Sequence, residues 1–286
     1  MSGVTAILSI QSSVAYGHVG NSAVTFPLMR MGVEVWPVNT VHFSNHTGYE
    51  TWRGPLLTAG DISEVVRGLD ERGVLSRCDA VLSGYLGRAD VAEAILAAVA
   101  LVKTRNPAAI YCCDPVIGDV DRGTFVRAGI PELIRDRVVP AAQIITPNAY
   151  ELEVLTGRKT SGLADVLSGA EAARARGPEV VLVTSVRLPR AADTIDMVLV
   201  TADGAWSVTT PALPQAFNGA GDLTAALFLV QLLASGDAPA ALARTAGSVF
   251  GMLAATAAAG QRELQLVTAQ DEIVHPSRAF NPVRLR

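Results

Sequence analysis

The segment Phe217–Thr224, which reads Phe-Asn-Gly-Ala-Gly-Asp-Leu-Thr, opens a long apolar stretch that predicts a helix. Gly219 and Gly221 can take backbone conformations closed to other residues and so turn N–H groups toward one point at the helix N-terminus, which makes an anion site. Asp222 beside that site would accept a proton from a hydroxyl that attacks a bound phosphoryl group. The alternative is that Gly-Asp only caps the helix, and these residues alone favour the cap.

Three more carboxylates lie at predicted strand ends and helix starts. Asn148 and Glu151 have the spacing of a capping box, yet Glu151 could also hold a Mg²⁺-bound water near nucleotide phosphates. Asp114 and Asp119 flank Pro-Val-Ile-Gly after an apolar strand, and one interpretation is a turn in which Asp114 bonds its own backbone. The alternative is a cation site near a polyphosphate, in which case Asp114, Asp119 and Glu151 support one another.

A second group of residues suits a small, flat molecule with polar edges, because it offers a few hydroxyls and imidazoles among apolar groups. A lone histidine is more often structural than a ligand contact, and that alternative stays open for His18 and His46. The group consists of Ser12, His18, Val41, Phe43, His46, Thr47 and Tyr85.

The elements that must position these residues alternate between apolar, β-branched segments and helical ones. This alternation predicts an α/β fold with a mostly parallel sheet and helices on both faces, and residues 1–286 are expected to form one domain. Two later segments, Asp196–Val200 and Ala205–Thr209, predict an antiparallel hairpin. Ligands of such sheets sit beyond the carboxyl ends of the strands. The polar residues predicted at those ends are Ser12, His46, Thr47, Ser83, Tyr85, Asp114, Thr146, Asn148, Thr184 and Ser185.

Composition and charge argue against several other classes of protein. Half of the 286 residues are hydrophobic, but a membrane-spanning helix needs about 20 apolar residues in a row, and runs such as Leu223–Ala234 are shorter. The N-terminus lacks the features of a signal peptide. The net charge is −4 with scattered basic residues, which does not favour nucleic acid. We therefore expect a soluble, cytoplasmic protein without nucleic-acid or membrane partners.

The cysteines and glycines exclude further sites. Cys112 and Cys113 are adjacent in an apolar run, so their side chains should point to opposite faces of a strand, and with Cys78 they are expected to be buried thiols. No G-x-x-x-x-G-K-[ST] sequence is present, so the chain has no P-loop.

The chain resembles the pyridoxal kinases of the ribokinase-like superfamily of small-molecule kinases. Gly219-Ala-Gly-Asp222 together with Asn148-x-x-Glu151 is similar to the superfamily pattern, and the resemblance extends from about Ala6 to about Ala259. The stretches that are similar to pyridoxal kinases are Ile10–Ser22, Trp36–Thr47, Leu82–Gly87, Cys113–Asp119, Ile144–Glu151 and Gly221–Ala226.

This resemblance implies a three-layer sandwich and ATP-dependent phosphorylation of the 5′-hydroxymethyl group of pyridoxal, with pyridoxine and pyridoxamine as further substrates. By position, Asp222 is the base and the amides of Gly219, Ala220 and Gly221 form the anion hole. The resemblance implies that Ser12 and Thr47 contact the pyridine ring, and that Val41, Phe43, His46 and Tyr85 line its pocket.

The resemblance also implies the nucleotide site and its ions. Mg²⁺ would be held by Asp114, Asp119 and Glu151, and relatives bind a monovalent cation such as K⁺ near the phosphates. The stretch Asp119–Arg127 matches a mobile flap over ATP, and a homodimer is expected because relatives are homodimers. The residues implied to bind ATP are Asp114, Thr146, Asn148, Glu151, Thr184, Ser185, Gly219 and Gly221.

Three features depart from relatives. Asn218 stands where relatives commonly have an aliphatic residue that touches substrate, and Thr184 replaces the lysine of some bacterial relatives. The segment Ala191–Pro214, which leads to the adenine side, looks shorter than in eukaryotic relatives.

Two alternatives remain beside a pyridoxal kinase. One is a hydroxymethylpyrimidine kinase with the same Asp222 chemistry, which the Ser12, His46-Thr47 and Tyr85 stretches argue against. The other is a vitamer-binding protein with poor turnover, which the intact base and glycines argue against.

Overall fold

A computed structural model of the chain describes residues 4–189 and 193–286. Its main sheet has nine strands in the order β11-β10-β9-β8-β7-β4-β3-β1-β2. The six strands from β2 to β8 pair in parallel, and the last three along the chain pair antiparallel, as the alternation of elements and the predicted hairpin require. The strands are β1 (Ala6–Val14), β2 (Glu34–Phe43), β3 (Ala80–Ser83), β4 (Ile110–Cys113), β5 (Gly118–Asp119), β6 (Gly123–Thr124), β7 (Ile144–Ile145), β8 (Val180–Val186), β9 (Thr194–Thr201), β10 (Gly204–Pro211) and β11 (Val283–Arg284).

Helices cover both faces of this sheet, so the predicted three-layer α/β sandwich is confirmed. One apolar core lies between the sheet and α2, α3, α6 and α7, and a second lies between the sheet and α1, α8 and α9. The helices are α1 (Asn21–Arg30), α2 (Ala59–Glu71), α3 (Asp90–Arg105), α4 (Ile130–Leu133), α5 (Val139–Ala141), α6 (Ala149–Thr156), α7 (Leu163–Arg174), α8 (Ala220–Ser235), α9 (Ala238–Ala258) and α10 (Asp271–Val274).

The two adjacent cysteines of β4 show how the layers divide. Cys113 packs into the core on the α3 side, and Cys112 packs into the core on the α8 side. Both are buried free thiols, as is Cys78, and burial raises the pKa of Cys113 to about 12. The prediction of buried thiols on opposite faces is therefore confirmed, and these thiols are unreactive at neutral pH.

The apolar run after Asp222 forms two helices that are separated at Gly236, where the backbone φ is 65°. The second of them, α9 (Ala238–Ala258), is long and apolar enough by length and composition to cross a membrane, which the sequence reading did not anticipate. Its apolar side packs against α8 and the sheet, and 61% of its most apolar window is buried inside the molecule. Burial against α8 and the sheet accounts for its composition, because a helix that is mostly buried needs few polar positions.

Strand lengths differ from the predicted ones where they meet the site. Strand β1 continues past Ile10 to Val14, so Ser12 lies within the strand rather than after it. Strand β7 is limited to Ile144–Ile145, and Thr146 follows it. The segment Ala191–Pro214, which looks shorter than in eukaryotic relatives, begins with residues 191 and 192, and these two lie outside the described residues.

Candidate active site

The N-terminus of α8 lies at Gly219, where the anion cradle is predicted. Gly219 is the N-cap residue with a φ of 80°, and a Cβ there would stand 1.8 Å from the carbonyl oxygen of His18, so only glycine fits. No side chain caps this end through the N-cap residue, and the first N–H groups of α8 therefore stay available to a ligand.

The prediction that Gly221 also uses a glycine-only conformation is wrong. Gly221 is the second residue of α8, and its φ lies outside the positive range. A Cβ at Gly221 would lie 3.9 Å from Oδ2 of Asp114, so this glycine keeps a gap open between the helix terminus and that carboxylate. Its amide still belongs to the exposed first turn that the cradle requires.

Asp222 stands in the first turn of α8 and is half-buried. Burial raises the pKa of Asp222 to about 6, while the N–H of Gly20 and its own N–H donate to the carboxylate and hold the value down. A carboxylate with a pKa near 6 is ionised at neutral pH and is a better proton acceptor than an ordinary aspartate. These properties suit a general base, and the capping alternative does not require them.

Asp114, a residue predicted to bind ATP, has two carboxylate neighbours, Asp222 and Glu151. Asp114 is buried, and its Oδ1 accepts a hydrogen bond of 3.0 Å from Oγ1 of Thr146. Burial, together with the negative charges of Glu151 and Asp222, raises the pKa of Asp114 well above its usual range. Asp114 is thus a buried acid that faces two further negative charges, which is the situation that a bound cation relieves.

The capping box predicted at the start of α6 is confirmed. The N–H of Glu151 donates to Oδ1 of Asn148 at 2.8 Å, and the N–H of Asn148 donates to Oε2 of Glu151 at 2.9 Å. The other oxygen, Oε1, accepts from the N–H groups of Ile117 and Gly118 at 2.9 and 3.4 Å. Burial raises the pKa of Glu151 to about 7 in spite of these donors. Glu151 therefore caps a helix and holds the base of the β5–β6 hairpin at once.

The β5–β6 hairpin is the start of the predicted flap. Asp119 is half-buried on it and accepts from the backbone N–H and the Nε of Arg122 at 2.8 and 2.7 Å. The far strand of the hairpin is attached to α6, because Oγ1 of Thr124 and Oη of Tyr150 are 2.7 Å apart. Asp119 thus forms an ion pair with Arg122. Within residues 4–189 and 193–286, no three His, Cys, Asp or Glu side chains are grouped so that they could hold a metal ion directly.

The end of β8 completes the nucleotide side. The N–H of Thr184 donates to the carbonyl of Pro147 at 2.9 Å, which brings Thr184 beside Asn148. Ser185 is exposed and has a φ of 56°, a left-handed conformation that costs a serine free energy, and the pairing of β8 with β9 shifts register around it. The predicted nucleotide residues Asp114, Thr146, Asn148, Glu151 and Thr184 are thus linked to one another by hydrogen bonds, pairing or charge.

The predicted ring pocket is a separate small apolar cluster. Val14, Val41 and Phe43 form its buried part, with Tyr85 packed against them and the ring of Trp52 centred 4.5 Å from that of Phe43. This cluster lies at the ends of β1 and β2, so two neighbouring strands supply its wall.

Ser12 and Asp222 are both neighbours of Gly20. Ser12 is buried, and a Cβ on Gly20 would stand 2.3 Å from its Oγ, so Gly20 lies directly against it. The N–H of the same Gly20 donates to Asp222. The hydroxyl predicted to touch a ring and the carboxylate predicted to take a proton are therefore separated by one glycine.

The loop after β2 carries His46 and Thr47. Nδ1 of His46 accepts from the N–H of Gly48 at 3.0 Å, and its ring centre is 4.7 Å from that of Tyr49. Thr47 is exposed in the turn, and its predicted contact with a ring stays a prediction. Nε2 of His46 lies 3.3 Å from Oε1 of Glu263, although the geometry is too oblique for a hydrogen bond.

Glu263 is the residue that sequence reasoning missed. It follows α9 in the unremarkable stretch Arg-Glu-Leu-Gln, and no motif or spacing marks it. Nδ2 of Asn218, Oη of Tyr49 and the N–H of His18 donate to its carboxylate at 2.8, 2.9 and 3.0 Å. Burial alone would raise its pKa, but these donors and His46 lower the pKa of Glu263 to about 2. Asn218 stands where relatives commonly have an aliphatic residue that touches substrate. In this chain its side chain donates a hydrogen bond to the carboxylate of Glu263.

Comparison with known proteins agrees with this geometry. A family model described as phosphomethylpyrimidine kinase matches residues 72–266. The chain is 57% identical over 280 residues to pyridoxal kinase PdxY of Rubrobacter xylanophilus, covering 97% of this chain and 96% of the relative. It is 54% identical over 275 residues to the same enzyme of Leifsonia xyli, covering 96% and 97%.

Solved structures give the same picture. Pyridoxal kinase from Leishmania donovani in complex with ADP superimposes with a TM-score of 0.93 at 27% identity, covering 98% of this chain and 99% of the other. The same enzyme in complex with ADP and pyridoxine gives a TM-score of 0.92 at 28% identity, covering 98% and 99%.

Proposed function

This chain belongs to the pyridoxal kinase family, and from that premise we propose how its site works: it transfers a phosphoryl group from ATP to the 5′-hydroxymethyl group of pyridoxal, forming pyridoxal 5′-phosphate. The observation that carries the proposal is the contact of Gly20 with both Ser12 and Asp222, because it brings the hydroxyl proposed to touch the pyridine ring close to the proposed base. A hydroxymethylpyrimidine kinase and a low-turnover binding protein are less well supported than the kinase assignment.

The chemical step follows from the cradle and the base. Asp222 takes the proton of the 5′-hydroxyl while that oxygen forms a bond to the γ-phosphorus of ATP. The bond from the γ-phosphorus to the bridging oxygen breaks, and ADP leaves. The N–H groups of Gly219, Ala220 and Gly221 face the charge that develops on the phosphoryl oxygens. A helix terminus thus does what a lysine does in a P-loop protein.

The nucleotide side suits a divalent cation. Asp114 and Glu151 are buried carboxylates with raised pKa values, and the adjacent negative charges would be compensated by Mg²⁺ bound through waters and phosphates. Asp119 would join them when Arg122 is displaced. When bound, the ion supplies positive charge to the phosphates. Thr146, Asn148, Thr184 and Ser185 are proposed to face ATP.

Further parts of the proposal come from the resemblance to pyridoxal kinases. Asp114, Thr146 and Thr184 would also bound a monovalent site for K⁺, and Asp119–Arg127 would close over ATP and exclude water. We propose a homodimer, which light scattering on the purified protein tests. A cytoplasmic location is supported by three buried free thiols, and cell fractionation tests it.

The test is a substrate panel with ATP and Mg²⁺. Pyridoxal, pyridoxine, pyridoxamine and hydroxymethylpyrimidine are each supplied, and the phosphorylated product is followed by mass. Pyridoxal is expected to be turned over, and hydroxymethylpyrimidine to be a poor substrate. Preference for hydroxymethylpyrimidine would favour the sister kinase, and tight ring binding without product would favour the binding protein. The same panel in Na⁺ and in K⁺ tests the monovalent site.

A further inference from the structure

Glu263 joins three segments of the site that are far apart in the chain. Oη of Tyr49, in the loop after β2, donates to its Oε1 at 2.9 Å, and Nδ2 of Asn218, next to the cradle, donates to the same oxygen at 2.8 Å. The N–H of His18, in the loop after β1, donates to Oε2 at 3.0 Å. One carboxylate therefore sets the relative position of both pocket loops and the entry to α8.

The packing around Glu263 leaves little room for another arrangement. The residue is 8% exposed, and a Cβ at Gly17 would stand 2.3 Å from its Oε2. The backbone supports the contact, because the N–H of Asn218 donates to the carbonyl of Arg262 at 3.0 Å and the two segments pair there. Hydrogen bonds to a buried charge are stronger than neutral ones, so the carboxylate is a firm anchor.

His46, which is predicted to line the ring pocket, lies beside the carboxylate of Glu263. Its Nδ1 accepts from the N–H of Gly48, which leaves Nε2 as the protonated nitrogen, 3.3 Å from Oε1 of Glu263. The ring of Tyr49 packs against the same imidazole at an angle of 48°. The N–H of Gly48 thus sets the tautomer of His46, and the imidazole presents its Nε2 side to the carboxylate of Glu263.

We propose that Glu263 is a positioning residue for pyridoxal: it holds His46 and the loop of residues 44–49 against the ring pocket and, through Asn218, keeps that loop in register with the anion cradle. This inference rests on the proposed function, since it takes the pocket beside His46 as the pyridoxal site. Glu263 acts through its neighbours, while Asp222 and the nucleotide residues make no contact with it.

The primary test is the steady-state kinetics of Glu263→Gln. The amide of glutamine keeps one acceptor oxygen, but its NH₂ group replaces the other oxygen and cannot accept a hydrogen bond. At least one of the donors Tyr49, Asn218 and His18 therefore loses its acceptor, and the loops are held less firmly. Because a hydrogen bond to a charged group is lost, KM for pyridoxal is expected to rise about tenfold. The base and cradle are untouched, so kcat should stay within about threefold of wild type and KM for ATP should not change.

A second variant guards against a folding failure. Tyr49→Phe removes one donor from an exposed position and leaves the carboxylate in place, so it should fold and raise KM for pyridoxal by about threefold. Combined with Glu263→Gln, its effect should be less than additive in free energy, because both changes break the same hydrogen bond.

The matched control is Glu272→Gln. Glu272 is a half-buried glutamate in the same C-terminal region, and its Oε2 accepts from the N–H of Ser277 at 2.8 Å, away from both pocket loops. This variant is expected to keep the wild-type KM. The proposal is overturned if Glu263→Gln and Tyr49→Phe keep the wild-type KM for pyridoxal, or if Glu263→Gln lowers kcat alone in proportion to lost folded protein.

The wild-type enzyme separates this proposal from the proposed function. If wild type phosphorylates pyridoxal and the two variants do not change KM, only the role of Glu263 fails. If wild type does not phosphorylate pyridoxal, the function itself fails, and binding of pyridoxal to wild type and Glu263→Gln, measured by fluorescence, still decides whether Glu263 shapes the ring pocket.

Discussion

The three carboxylates near the cradle and the carboxylate of Glu263 are opposite cases of buried charge in one site. Asp114 lies close enough to Glu151 and to Asp222 for their charges to act on it, and the pKa of each of the three acids is raised. Glu263 receives hydrogen bonds from three segments and has a pKa of about 2. A carboxylate that accepts hydrogen bonds from several donors is suited to fix the positions of the segments that carry them. Carboxylates that repel one another are suited to bind a proton or a cation.

Glycines allow close approach on both sides of this contrast. At Gly219 and Gly20 a Cβ would stand within 2.3 Å of a neighbouring atom, and at Gly17 it would stand 2.3 Å from Oε2 of Glu263. The two sides differ in their donors. The side chains of Tyr49 and Asn218 and the N–H of His18 donate to Glu263, whereas the donors to Asp222 are backbone N–H groups.

Removing Asp222 should have the largest effect. Asp222→Ala is expected to lower kcat at least about 10²-fold, as loss of a general base does, while pyridoxal binding survives. The measurement is kcat at saturating substrates, with pyridoxal affinity determined separately.

The matched control for this variant is Asp237→Ala. Asp237 caps α9 by accepting from the N–H of Ala240 at 3.0 Å, so its loss should cost about 1 kcal/mol of stability without changing kcat. Near-normal turnover of Asp222→Ala would mean that Asp222, like Asp237, only caps a helix.

Changing Glu151 tests whether it does more than cap α6. Glu151→Gln removes the charge and is expected to raise the Mg²⁺ concentration for half-maximal rate by about tenfold, as loss of an ion's supporting ligand does. Helix α2 begins with a capping box of the same kind, in which Asp61 accepts from the N–H of Thr58 at 2.7 Å. Asp61→Asn is therefore the matched control. An equal Mg²⁺ requirement in both variants would leave Glu151 with a structural role only.

The pH profile of kcat should report the base. Asp222 must be ionised to accept a proton, and its pKa of about 6 means that the rate falls as pH drops below 6, by roughly tenfold at pH 5. Initial rates between pH 5 and 8 at saturating ligands check this. A rate that stays flat down to pH 5 would place the titrating base elsewhere.

The smallest effect should be on stability, and the two regions should respond in opposite directions. Glu151 has a pKa of about 7 when folded against 4.5 for an ordinary glutamate, so the folded protein binds more protons between those values and its unfolding free energy falls as pH rises through them. Glu263, at about 2, stabilises above 4.5, and that contribution is lost as pH falls from 4.5 toward 2.

Thermal unfolding without ligands checks this difference. Tm should be lower at pH 8 than at pH 6, and Asp114→Asn should flatten that slope because it removes one of the repelling charges. Glu263→Gln should leave the slope unchanged between pH 6 and 8. An unchanged slope in Asp114→Asn would mean that these acids do not interact as described.

The parts of the site that could be predicted are the ones that depend on local sequence. Gly219 and Asp222 begin a helix, and Asn148 and Glu151 form a box three residues apart, so short spacing is enough to find them. Glu263 could not be found this way, because its hydrogen bond to His18 joins residues 245 positions apart.

The fold shows the same division between local and long-range information. Strand and helix order followed from periodicity, and so did the opposite faces of Cys112 and Cys113. The flap hairpin β5–β6 was not predicted as strands, because two-residue strands carry no periodicity. The predicted conformation of Gly221 was wrong, because the sequence does not distinguish a glycine in a helix from a glycine with a left-handed backbone.

The most direct test of the contrast is a rapid-quench measurement of one turnover with saturating ATP and pyridoxal. Asp222→Asn should bind both ligands and show almost no phosphoryl transfer, whereas Glu263→Gln should transfer at close to the wild-type rate once enough pyridoxal is supplied to fill its weakened site. If Asp222→Asn transfers normally, or if Glu263→Gln loses the chemical step at saturating pyridoxal, the division between a reacting and a positioning carboxylate is contradicted.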